Sequence, residues 1–306
     1  MNDLRIIFMG TPEFAVPCLE ILVENKFNVV AVITAPDKPQ GRGQKIAFSP
    51  VKESALKLNI PILQPTNLKS SEFNEELKTY NANLQVVVAF RMLPESVWSM
   101  PSIGTFNLHA SLLPQYRGAA PINWAIINGE HETGVTTFFL KHEIDTGSII
   151  FQEKEPINPD DTVGQLYERL MKKGAALVLK TVQAIEQGSY PSVPQPDNIE
   201  IKHAPKIYKE TCAIQWNESS EQIRNLVRGL NPYPAAWCTV MSKNFKIFSV
   251  SPVNCTENKS VGEFVTDNKN YLYFKTKDGW LSVDELQPEG KKRMNISEFF
   301  RGNKIN

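Results

Sequence analysis

Several things that would mark a specialised chain are missing here. Only four cysteines occur in 306 residues (Cys18, Cys212, Cys238 and Cys255), far apart and without a C-x-x-C pair. That excludes a disulfide framework and a zinc knuckle. The four histidines show no H-E-x-x-H and no pairing at helical spacing, so no metal site is expected. No apolar run approaches the roughly 20 residues that cross a bilayer. The amino-terminal segment lacks the basic start, apolar core and small-residue cleavage site of a secretion signal. A cytoplasmic protein without a membrane partner is the expectation, and a monomer. Net charge is also missing, with 33 Lys/Arg against 33 Asp/Glu, which excludes a strongly basic coat for nucleic acid.

Familiar nucleotide and nucleophile motifs are absent too. The first strand-turn-helix reads Gly10-Thr11-Pro12-Glu13-Phe14, one glycine where a dinucleotide fingerprint needs three, so NAD binding is discounted. No G-x-x-x-x-G-K-[ST] occurs. No G-x-S-x-G elbow occurs either, and a covalent acyl-enzyme is disfavoured.

What is present is an ordinary globular composition, 42% hydrophobic and 22% charged, long enough for about two domains. Short apolar runs at 4–9, 27–33, 84–90, 103–109 and 135–140 read as strands, separated by helix-length segments. That alternation argues for a doubly wound, mostly parallel α/β sheet, Rossmann-like in layout. Thr11 can cap a first helix with Pro12 inside it; Ser49-Pro50 opens a second. A third, after Asp161-Thr162, places apolar residues at offsets of three and four through position 185. A proline-rich stretch over 189–206 then reads as a semi-extended linker, which bounds a first domain at 1–188. Over 207–306, one helix pattern and five closely spaced short strands suggest a small OB-like β-barrel. Residues 201–306 hold 16 Lys/Arg against 11 Asp/Glu. That suits a polyanionic partner or is scattered surface charge, and charge alone does not choose.

The chemistry concentrates at the end of the 103–109 strand. Asn107 and His109 are two residues apart, so both side chains face one side of the sheet. They sit at the carboxyl end, where open α/β sheets carry their sites. Asp145-Thr146-Gly147 follows the next strand, and Asp145 either meets that pair or caps its own turn. Amide, imidazole and carboxylate together suit acyl transfer to an amine. The imidazole accepts a proton, amide and imidazolium stabilise an oxyanion, and the carboxylate holds the ring. A second feature is the long 36–49 connection, longer than the two to six residues usual in an α/β unit. It carries Lys38, Arg42 and Lys45 against Asp37, a pattern that fits nucleic-acid contact or a charged surface loop.

These residues carry a resemblance. Phe8 through Pro17, Pro36-Asp37-Lys38-Pro39-Gln40-Gly41-Arg42-Gly43, Asn107-Leu108-His109-Ala110-Ser111-Leu112-Leu113-Pro114, Tyr116-Arg117-Gly118-Ala119-Ala120-Pro121 and Asp145-Thr146-Gly147 belong to it. So do Asn231-Pro232-Tyr233-Pro234 and Leu286-Gln287-Pro288-Glu289-Gly290-Lys291-Lys292. Over essentially its whole length the chain resembles the 10-formyltetrahydrofolate-dependent formyltransferases, and within them the methionyl-tRNA formyltransferases. The resemblance implies transfer of formyl from 10-formyltetrahydrofolate to methionyl initiator tRNA, with Asn107, His109 and Asp145 catalytic. It also implies a folate-facing strip of Ser111, Leu112, Leu113 and Pro114. The Lys38, Arg42 and Lys45 loop would reach the acceptor end of tRNA. The chain departs from the usual pattern at Arg91, Met92, His142 and Ser148. A formyltransferase for amino-sugar nucleotides and a non-catalytic tRNA-binding protein are the competing readings.

Overall fold

A computed structural model describes residues 3–40, 45–143, 145–196 and 198–305, with backbone alone at 39, 40, 45 and 46. In chain order the elements are β1 (Arg5–Gly10), α1 (Val16–Glu24), β2 (Asn28–Ile33), β3 (Lys38–Gln40), β4 (Lys45–Ala47), α2 (Pro50–Lys57) and β5 (Ile62–Leu63). Next come α3 (Ser71–Thr79), β6 (Leu84–Val88), α4 (Glu95–Trp98), β7 (Gly104–His109), β8 (Arg117–Gly118), α5 (Pro121–Ile127), β9 (Glu132–Phe139), β10 (Ile149–Pro156) and α6 (Val163–Glu186). The chain closes with β11 (His203–Ala204), α7 (Ser220–Gly229), β12 (Ala236–Val240), β13 (Lys243–Pro252), β14 (Phe264–Thr266), β15 (Leu272–Lys275), β16 (Trp280–Pro288), β17 (Met294–Asn295) and α8 (Ile296–Phe300).

Two compact units emerge. One comprises residues 1–117, 134–155 and 167–203; the other comprises 118–133, 156–166 and 204–306. In the first, seven strands lie in the order β10-β9-β7-β6-β1-β2-β5. The five from β7 to β5 are parallel, whereas β9 runs antiparallel to β7. From β1 the chain winds outward through β2 and β5, then returns to build β6 and β7 on the other side. The carboxyl ends of β1, β6 and β7 therefore share one edge at the point where winding reverses, the usual place for a ligand crevice. Continuous burial along β1 and β6 explains their strongly apolar sequences, in which Gln85 is buried and accepts from the Thr105 hydroxyl, since both faces of the sheet are covered.

Local chemistry sets the helix ends. The Ser49 hydroxyl accepts from the Lys52 N–H at the start of α2, with Pro50 in the first turn, as the sequence leads one to expect. Thr11 does not cap a helix. A short 3-10 turn (Glu13–Ala15) precedes α1, and Pro17 rather than Pro12 occupies the first α turn. The long α6 buries Leu166, Leu170, Leu177, Val178, Val182 and Ile185, the stripe its spacing describes. Within the 36–49 connection, β3 and β4 pair antiparallel.

In the second unit β12-β13-β16-β15-β14 form an antiparallel sheet, with β17 added on β16. It curls around a core of Ile223, Val227, Ile247, Phe274, Leu281 and Leu286. A capping box between Ser219 and Gln222 starts α7, whose Ile223 and Val227 supply the helical side of that core.

Candidate active site

β7 delivers Asn107 and His109 to the carboxyl edge, as alternation along a strand requires. His109 is buried, 6% exposed, and both ring nitrogens face an acceptor. Nε2 lies 2.8 Å from the Tyr116 carbonyl oxygen, and Nδ1 lies 3.9 Å from Oδ2 of Asp145. A carbonyl can only accept, so Nε2 carries a proton and Nδ1 is left for exchange. The half-buried side-chain amide of Asn107 has no hydrogen-bond partner among the described residues. β7 and the loop between β9 and β10 thus bring His109 and Asp145 together, with Asn107 two residues before His109 on the same strand.

That loop is held under constraint. Asp145 adopts φ +56°, a left-handed conformation that aspartate visits more readily than most residues. Two positions on, a β-carbon on Gly147 would stand 1.5 Å from the Phe139 carbonyl oxygen, so only glycine lets the loop lie against β9. The side-chain amide of Gln195, buried at 6% exposure, donates to the carbonyls of Asp145 at 2.8 Å and Gly147 at 2.9 Å. Its oxygen accepts from Nε and Nη2 of Arg117. Sequence reading gave no signal for Gln195, which stands among prolines in a stretch that reads as a spacer.

The 111–114 strip is laced to the sheet. The Ser111 hydroxyl donates to the Gln115 carbonyl, and the Thr136 hydroxyl donates to the Ser111 carbonyl. The Leu113 N–H donates to Thr136, and Gln152 donates to both the Leu113 carbonyl and Thr136. Ser111 and Leu113 are buried, whereas Leu112 and Pro114 are half-buried. Of the four departures, Arg91 is tied to the carbonyls of Pro65 and Thr66 while Met92 is 72% exposed. His142 pairs with Glu95 at 3.3 Å and packs edge-on against Trp98. The Ser148 carbonyl accepts from the Phe139 N–H.

At the root of the basic loop, Asp37 is bound by both Lys52 and Gln64. Those hydrogen bonds, Gln64 first, hold its carboxyl below the usual range. Its charge is therefore matched by Lys52, and Lys38 beside it is exposed. Arg42 and the Lys45 side chain lie outside the described residues. Among the described residues no group of His, Cys, Asp and Glu could hold a metal ion, and no helix is long and apolar enough to cross a membrane.

Both parts of the chain are similar to known proteins. Residues 4–182 match the formyl transferase family, and residues 206–304 match the formyl transferase C-terminal domain. The methionyl-tRNA formyltransferase of Bacteroides fragilis is 53% identical over 309 residues, covering 98% of this chain and 95% of that protein. That of Flavobacterium johnsoniae is also 53% identical, covering 99% and 97%. Among solved structures, an N-formyltransferase from Helicobacter canadensis, in complex with folinic acid and dTDP-3-aminofucose, is 25% identical. Its TM-score is 0.69 with 93% of this chain and 99% of that one covered. HypX from Aquifex aeolicus, 18% identical with a TM-score of 0.66, shares the fold over 100% of this chain and 49% of its own.

Proposed function

Because the chain belongs to the formyl transferase family, we propose that Asn107, His109 and Asp145 are the groups with which it formylates methionyl-tRNA. The reaction moves the formyl group of 10-formyltetrahydrofolate to the α-amino group of methionine on tRNA. The bound folate supplies an electrophilic formyl carbon, and the chain supplies everything else at the site. The unpartnered Asn107 amide suits the formyl oxygen and would donate to it as negative charge develops. His109 would take the proton shed by the attacking amine at Nδ1, the one ring nitrogen not engaged by a carbonyl. Asp145, 3.9 Å away, would stabilise the ring once that proton is aboard. As the C–N bond to methionine forms and the bond to the folate nitrogen breaks, the same proton can pass to the departing nitrogen. No covalent enzyme intermediate is needed.

The rest of the reading follows the same logic. Leu112, Pro114 and the backbone of Ser111 and Leu113 would line the folate. Lys38, Arg42 and Lys45 would contact tRNA, with Asp37 already matched by Lys52. The domain division is a catalytic segment 1–188, a connection 189–206 and an OB-like tRNA-binding segment 207–306. Selection of the initiator tRNA, a monomeric state and work in the cytoplasm complete it. The observation that carries the proposal is the 3.9 Å approach of the Asp145 carboxylate to an imidazole whose other nitrogen is held by a carbonyl, with Asn107 two residues away on the same strand. Offering the protein 10-formyltetrahydrofolate with methionyl-tRNA or with an amino-sugar nucleotide tests it. Formylated methionine on tRNA alone is expected, and turnover of the sugar nucleotide instead would overturn it.

A further inference from the structure

Residues 190–196 and 198–203 touch both reacting side chains at one remove. We propose that Gln195 is a positioning residue for Asp145, within a strap that also holds His109; this rests on the catalytic roles proposed above for those two groups. The strap is fastened to the sheet where Val193 and Ile149 exchange two backbone hydrogen bonds, 2.8 and 2.9 Å long. Past it, the neighbours Pro194 and Pro196 are exposed while Gln195 turns inward.

Every hydrogen-bonding position of that amide is filled. Both N–H groups go to the loop, at the Asp145 and Gly147 carbonyls, and both oxygen lone pairs go to the fork of Arg117. Flipping the amide would face its NH2 to a guanidinium and its oxygen to two carbonyls, so one orientation is enforced. The two accepted carbonyls bracket the turn whose first residue has φ +56°. A left-handed non-glycine residue persists where its surroundings over-determine it, and Gln195 supplies that determination from outside the loop.

The strap reaches His109 by a second route. The Tyr116 N–H donates to the Lys202 carbonyl at 2.6 Å, and the Tyr116 carbonyl is the one that accepts from Nε2 of His109. Gln115 reinforces this end, donating to the Glu200 carbonyl and accepting from the Lys202 N–H. One stretch of chain therefore fixes the ring's tautomer at one end and the carboxylate's loop near the other. Misplacing a reacting group by about 1 Å can cost on the order of 10²-fold in rate.

Gln195→Glu separates positioning from stability, because a glutamate keeps the Arg117 fork but cannot donate to the two carbonyls. The expected result is a kcat lowered about 10- to 100-fold, KM for both substrates within about threefold, and thermal unfolding close to wild type. In an Asp145→Asn background the same change should add less than about twofold, since the group it positions is already disabled. Should Gln195→Glu not fold, Gln195→Met, of similar length and without donors, is read in the same way. A kcat per folded molecule within twofold of wild type, or fully additive losses in the double variant, would overturn the proposal. If Asp145→Asn alone were as active as wild type, the reading of the site itself would fall. A crippled Asp145→Asn beside a fully active Gln195→Glu would sink only the positioning role.

Discussion

Asp145→Asn removes one charge and almost nothing else. The two side chains are nearly isosteric, and asparagine tolerates φ +56° as well as aspartate does, so the loop should keep its course. The carboxylate stands 3.9 Å from Nδ1 of His109, and the two side chains are 12% and 7% exposed. Unit charges at about 4 Å interact by roughly 4 kcal/mol at an effective dielectric near 20. That sets an upper limit on what the carboxylate contributes once His109 takes a proton. At about 1.4 kcal/mol per decade, the limit is about a thousandfold in rate. A loss of about 10²- to 10³-fold is expected in single-turnover formylation of methionyl-tRNA with both substrates saturating, so that binding drops out. Thermal unfolding should move by no more than a few degrees. A single-turnover rate within fivefold of wild type would refute the reasoning, because it would mean that the proton on Nδ1 does not feel this charge.

Three further outcomes are expected. Gly147→Ala should unfold the loop against β9, since its β-carbon would overlap the Phe139 carbonyl; a stability loss of at least about 3 kcal/mol and little activity would register in denaturant titration, and a wild-type midpoint would contradict it. Burial pushes the Glu155 carboxyl up, but hydrogen bonds from Arg169 and Lys173 outweigh it and leave the group below its ordinary value. Its stabilisation is therefore full above the unfolded glutamate value and lost as pH falls through the folded one, so Glu155→Gln should cost about 2 kcal/mol near neutrality and progressively less below pH ~4. A gap in melting temperature that stays constant down to pH ~3 would count against that assignment. Arg42→Ala should raise KM for methionyl-tRNA at low salt and make the salt dependence shallower by about one phosphate contact, while folate KM holds; an unchanged slope would remove Arg42 from the tRNA interface.

Periodicity and residue type determined much of this molecule. An unbroken apolar run such as Ile6–Met9 reads as a strand covered on both faces, and the stripe along α6 reads as one buried face. Local rules likewise put Asn107 and His109 on one side of β7. These are short-range consequences, set by alternation, capping and steric size within a few residues. What local rules left open was which distant segments would meet. Whether Asp145 reached His109 or capped its own turn depended on β9 running back antiparallel to β7, a pairing across some thirty residues. The tautomer of His109 depends on a carbonyl seven residues on, held in turn by Lys202. Gln195, among prolines that announce a spacer, is tied to Arg117 at a separation of 78 residues. A side chain's local propensity carries no trace of a partner so far along the chain, because hydrogen bonds of that range form only when packing brings the segments together.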